Sequence, residues 1–146
     1  MSDESSWRWT FLGFESDLEG RPVQTWFFGL PDNAQDEIRD LIRYLRNMTN
    51  SRWQKPAFDP LEGGGGISEL RPDDVSHEED GEIKTVTYRI YGFFGPKERK
   101  NSYTFLHGTD KKERNDKAGK QIAKDRLGQL GRGEATVHEF QEWPDS

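Results

Sequence analysis

From Thr85 to Phe94 nearly every residue is β-branched, aromatic or otherwise suited to a strand, and Arg89 is the one charge in the run. Gly95-Pro96 then breaks the chain, charged residues follow as far as Asn101, and Tyr103 to His107 is a second short apolar run. This pattern predicts two antiparallel strands joined by a polar loop. After His107 the residue type changes. Gly108 frees the backbone, Lys111, Lys112 and Arg114 form a basic loop, and a helical pattern begins. Ala118, Ile122, Ala123, Leu127 and Leu130 recur near one face, which predicts a closing helix from Arg114 to Leu130. A strand pair feeding a helix in this way points to an α+β chain.

Between Pro96 and Arg132 there are 11 Lys or Arg against 5 Asp or Glu, a local balance of +6. The chain as a whole stands at −6, so the remainder carries −12. A concentrated basic patch is what a polyanion meets, although a solvated helix face with pairs such as Asp116–Lys120 has the same composition. With a pI near 5.1, the chain does not resemble a general nucleic-acid coat protein. A local anion site survives that argument, because screening confines electrostatic influence to about 10 Å.

A length of 146 residues suggests a single domain with a modest core. With 33% charged and 31% hydrophobic residues, the core has to lean on large aromatic side chains. There is no cysteine, which excludes disulfides and thiolate metal sites and makes the cytoplasm the expected compartment. No signal peptide and no apolar run of membrane-spanning length is visible.

Taken in order, residues 7–14 read as a strand with Trp7, Trp9 and Phe11 on one face. Residues 23–30 read as a second strand, and Glu19-Gly20 as the turn of an opening hairpin. Asp32 or Asn33 is a good N-cap for an amphipathic helix from Ala34 to Met48, with an apolar stripe through Ile38, Leu41, Ile42 and Leu45. Arg39, Arg43 and Arg46 sit off that stripe and are expected in solvent, or else as part of the basic patch. Trp53 and Phe58 anchor an irregular stretch to the core. The four glycines at 63–66 lack the following Gly-Lys-Ser/Thr of a phosphate loop and serve as a flexible entry to a strand at 67–71. Residues 73–82 read as an acidic, solvated, mobile hairpin loop. Residues 135–140 are an extra edge strand, and residues 1–6 and 141–146 loose ends.

Several of these pieces, in order, resemble the RelE/ParE superfamily of type II toxin–antitoxin toxins, most closely its HigB-like, phage-derived branch. Pro60-Leu61-Glu62-Gly63 with Ser68-Glu69-Leu70-Arg71 resembles one family strand. Tyr88-Arg89-Ile90-Tyr91 resembles a second, and Phe105-Leu106-His107-Gly108 followed by Lys111-Lys112 a third segment. The resemblance covers residues 34–130. It implies a small twisted antiparallel sheet with an N-terminal hairpin, one or two helices packed on it and a closing C-terminal helix. The activity it implies is that of a ribosome-dependent mRNA endonuclease, held in check by a cognate antitoxin, of helix-turn-helix type, that covers the basic patch or displaces the closing helix. Two departures from the family pattern accompany it: Glu69 stands where several relatives place a basic residue, and the closing helix has no tyrosine.

RNA cleavage by 2′-hydroxyl attack requires no metal and no cofactor, only orientation, proton transfer and charge stabilisation. On this reading Arg71 and Arg89 hold the phosphate, unless they form cross-strand salt bridges with Glu69 or another carboxylate. His107 is the candidate for proton transfer, or else a hydrogen-bonded histidine at a strand end. Lys111, Lys112, Arg114 and Lys117 are the candidate RNA-binding residues. Tyr91 and Tyr103 are expected in the core before any role in base stacking. His107 and Asp110 form a two-ligand fragment at best, which makes no metal site. The alternatives are a ParE-like gyrase inhibitor and a non-catalytic binding protein with a RelE-like fold.

Overall fold

A computed structural model describes residues 8–112 and 114–144; Trp7 of the predicted first strand and residues 145–146 of the predicted tail lie outside them. The chain is α+β. Its elements run β1 (Thr10–Glu15), α1 (Pro22–Phe28), α2 (Asp32–Arg46), β2 (Phe58–Pro60), β3 (Ser68–Leu70), β4 (Val75–Glu79), β5 (Glu82–Val86), β6 (Tyr88–Phe94), β7 (Ser102–Asp110), α3 (Lys117–Gly131) and β8 (Thr136–Glu139). Six strands form one sheet in the order β2-β3-β6-β7-β1-β8, and β4 and β5 form a separate pair. Every pairing in the large sheet is antiparallel except β1 with β7.

The two central strands follow from the apolar runs around Gly95-Pro96, whose loop closes through the Gly95 amide and the Ser102 carbonyl at 2.9 Å. One face of the sheet carries Phe11, Leu70, Ile90, Tyr103 and Phe105, and α2 covers it with Ile38, Leu41, Ile42 and Leu45. The other face carries Phe14, Tyr91 and Leu106 beneath Ala123 of α3. Within the described residues no helix is long and apolar enough to cross a membrane.

The predicted opening hairpin is corrected. Residues 22–28 form a helix, not the second strand of a pair. Pro22 is well placed in its first turn, and Val23, Trp26, Phe27 and Leu30 recur at helical spacing. Val23 and Phe27 are fully buried against the sheet, and this burial overrides the strand preference of the aromatic residues.

Arg39 and Arg46 are also corrected, being 5% and 8% exposed. The segment after β8 lies along α2 and covers them. Glu142 accepts from Arg39 through its carbonyl at 2.8 Å and from Arg46 through its carboxylate at 2.7 Å. The Trp143 ring stacks on the Arg39 guanidinium at 3.8 Å. Residues 141–143 are therefore tied down rather than loose, and Arg43 alone of the three arginines is exposed.

Smaller corrections have local causes. Helix α2 has Pro31 at its N-cap position with no side-chain cap, and Asp32 falls inside the first turn, where it favours the helix dipole. Residues 75–86 form a regular hairpin, because Asp80 (φ 53°) and Gly81 (φ 80°) both take the left-handed conformation of a tight two-residue turn. Gly108 stays within β7, where its missing side chain makes room for the Trp26 ring, so that β7 runs on to Asp110. Ala118 is exposed, and α3 buries Ala123 and Gly119 instead.

Candidate functional site

Register brings four side chains into one cross-strand row. Asp59 of β2 lies opposite Glu69 of β3, Glu69 opposite Tyr91 of β6, and Tyr91 opposite His107 of β7. A bulge makes the last pairing possible. Tyr91 faces His107 while Gly92 faces Phe105, so Leu106 has no opposite residue. The Tyr91 and His107 rings are parallel within 5°, with centroids 6.4 Å apart.

Next to Asp59, towards one end of the row, Glu69 is 2% exposed. It accepts from Arg71 at 2.9 Å, and its other oxygen lies 3.6 Å from the Arg89 Nε. Arg71 reaches on to Asp59 at 2.7 Å, and Lys55 approaches the same carboxylate at 3.8 Å. The cross-strand salt-bridge reading of Arg71 and Arg89 is thus the arrangement present. The two arginines are held unequally. Arg71 makes full hydrogen bonds to two carboxylates, whereas Arg89 donates to the Tyr88 carbonyl at 2.7 Å and leaves its buried Nε without a hydrogen-bond partner.

Both arginines line a groove of about 650 Å³ between α2 and residues 71–74.

At the other end the row passes under α3. Tyr91 donates to Asp116 at 3.0 Å, and Asp116 also accepts the Gly119 amide at 3.0 Å, capping the helix. Burial, then the bond to Asp116, raises the Tyr91 pKa, so the phenol keeps its proton at neutral pH. Arg126 of α3 donates to the Leu106 carbonyl at 2.8 Å and to Glu19 at 2.9 Å, and stands 3.4 Å from the His107 Nδ1. Burial and the Arg126 charge lower the His107 pKa, so the imidazole is neutral at pH 7 with Nδ1 as its acceptor.

The structure therefore gathers Arg71 and Arg89 at one end of the row and His107 at the other, with Tyr91 between them. Tyr103 lies fully buried on the opposite face, hydrogen-bonded to Ser68 at 2.8 Å. Lys111, Lys112, Arg114 and Lys117 occupy one stretch from the end of β7 to the start of α3. Lys112, Arg114 and Lys117 are exposed and Lys111 half-buried. Glu113 lies outside the described residues. Sequence reasoning missed Asp59, Asp116 and Arg126 as members of the site. Asp116 carried a signal, since it stands ahead of the helical pattern like an N-cap; the other two are recognisable only from the pairing of β2 with β3 and the docking of α3.

Among the described residues no three His, Asp or Glu side chains come together as a metal site would need. No model of a known protein family matches the chain, and no curated protein matches it either.

Proposed function

We propose that the chain is the toxin of a type II toxin–antitoxin system, a ribosome-dependent endonuclease acting on mRNA. The observation that carries this reading is the row from Glu69 through Tyr91 to His107, with Arg89 incompletely bonded at one end and the exposed basic stretch leading away from the other. Arg89 is the guanidinium suited to turn from Glu69 to a phosphate, because its contact with that carboxylate is only a 3.6 Å approach and its one short bond is to the Tyr88 carbonyl. Arg71 gives up two short bonds and serves better to hold Glu69 in place. The 2′-oxygen attacks the adjacent phosphorus and its proton passes to Nδ1 of the neutral His107 imidazole, which Arg126 frees by giving up its 3.4 Å contact while keeping its bonds to the Leu106 carbonyl and Glu19. The 5′-oxygen leaves and takes a proton back from the imidazolium, giving a 2′,3′-cyclic phosphate and a 5′-hydroxyl. The partners on this reading are mRNA, the ribosome and an antitoxin.

One observation favours the second reading, a non-catalytic binding protein. Both arginines already face carboxylates, and the groove they line is rimmed by further acidic residues. Primer extension on mRNA after pulsed expression decides between the two. Cuts inside translated codons that vanish in Arg89→Ala are expected for the endonuclease. Intact mRNA with folded wild-type protein overturns it.

A further inference from the structure

The groove between α2 and residues 71–74 is two-natured. Its floor is apolar, built from Leu41, Ala57 and Pro72, and the Tyr44 ring stands at its edge, 61% exposed. Its rim carries Glu37, Asp40, Asp73 and Asp74. Asp40 pairs with Arg43 at 3.2 Å, but Glu37, Asp73 and Asp74 have no ion pair among the described residues. The crowding is felt electrostatically: burial, then Asp73, Asp40 and Asp36, pushes the Glu37 carboxyl above the usual range. Among the described residues the only cations lining the groove are Arg71 and Arg89, and Asp59 and Glu69 already engage them.

We infer that this groove is a docking site for a cationic, amphipathic segment of a partner protein, with lysine or arginine side chains on the rim and aliphatic ones on the floor. The floor supplies apolar area to bury, and the unpaired carboxylates supply the charge complementarity. The four rim carboxylates favour a cationic occupant over a nucleic acid, whose phosphates would find a counter-charge in the groove only at Arg71 and Arg89. The inference stands on the groove alone and does not depend on the endonuclease reading.

The test uses the full chain, no RNA, and a short fluorescein-labelled peptide of alternating lysine and leucine, followed by anisotropy at low salt. Saturable binding is expected, and the same peptide with glutamate in place of lysine should not bind. The variant Glu37→Gln/Asp73→Asn/Asp74→Asn changes surface charge with little change of shape, and it should bind about tenfold more weakly. Tyr44→Ala should weaken binding while leaving its salt dependence intact. No binding to the wild type, or equal binding to the triple variant, overturns the inference. Self-association of the wild type in sedimentation, lost in the triple variant, would assign the groove to a second copy of the chain and overturn it as well.

Discussion

Tyr91 and Asp116 join the sheet to the closing helix through a single carboxylate: one oxygen accepts the phenolic hydrogen at 3.0 Å and the other the Gly119 amide at 3.0 Å. Asp116→Ala removes the cap and strands a buried phenol, and is expected to cost about 2–3 kcal/mol. Tyr91→Phe loses one hydrogen bond and keeps the cap, at about 1 kcal/mol. Urea unfolding of both variants checks the order; a larger loss in Tyr91→Phe would show that the cap contributes little.

Removing Glu69 should separate stability from anion binding. Glu69→Ala leaves the Arg89 side chain with the Tyr88 carbonyl alone and Arg71 with Asp59, at an expected cost of about 3 kcal/mol. The released guanidinium should bind a single-stranded RNA oligonucleotide more tightly at low salt. Weaker RNA binding in a folded Glu69→Ala protein would contradict this prediction.

Acid should weaken the fold through two histidines. His138 is 7% exposed, its Nε2 has no hydrogen-bond partner, and its ring fills the space beside Gly13. Burial lowers its pKa, with Arg21 adding to the effect and the Glu139 carbonyl and Glu15 opposing it. His107 is lowered likewise. Above the ordinary value of 6.5 both imidazoles are neutral whether the chain is folded or not. Below it the unfolded chain takes up protons first, so stability falls until the folded pKa values are reached. Denaturation midpoints should hold steady down to about pH 6.5 and then drop, with a smaller drop in His138→Gln. An identical profile in that variant would remove His138 from the account.

Trp26 and Gly108 offer a packing test. A Cβ at position 108 would run into the indole. Gly108→Val should destabilise by about 2 kcal/mol. Adding Trp26→Leu should restore part of that loss, so the two changes should couple in a double-mutant cycle. Simple additivity would mean that the ring swings away at no cost.

How legible these features were in the sequence depended on how far away their partners lie. The stripe through Ile38, Leu41, Ile42 and Leu45 disclosed α2, and the apolar runs flanking Gly95-Pro96 disclosed β6 and β7. Helix α1 was hidden because five of its seven residues, Val23 and Thr25 to Phe28, favour strands locally and become helical by packing on the sheet. Arg39 and Arg46 could not be placed, since what buries them, Glu142 and Trp143, lies about a hundred residues along the chain. At the site, Glu69 was a foreseeable partner for Arg71 and Arg89. The pairing of Tyr91 with His107 was not foreseeable, because it depends on a bulge that shifts the register by one residue.

The position of β1 has a kinetic consequence. Of the described strands it is the first made, yet both its sheet neighbours, β7 and β8, come from the last third of the sequence. A nascent chain cannot bury Phe11, Leu12 and Phe14 within the sheet until residues 102–110 have been synthesised, and it cannot cover the outer edge of β1 until residues 136–139 follow. Folding that waits on such distant contacts is slow. During synthesis the protein therefore spends most of its time as an unassembled precursor, with its aromatic first strand open to chaperones and to aggregation alike.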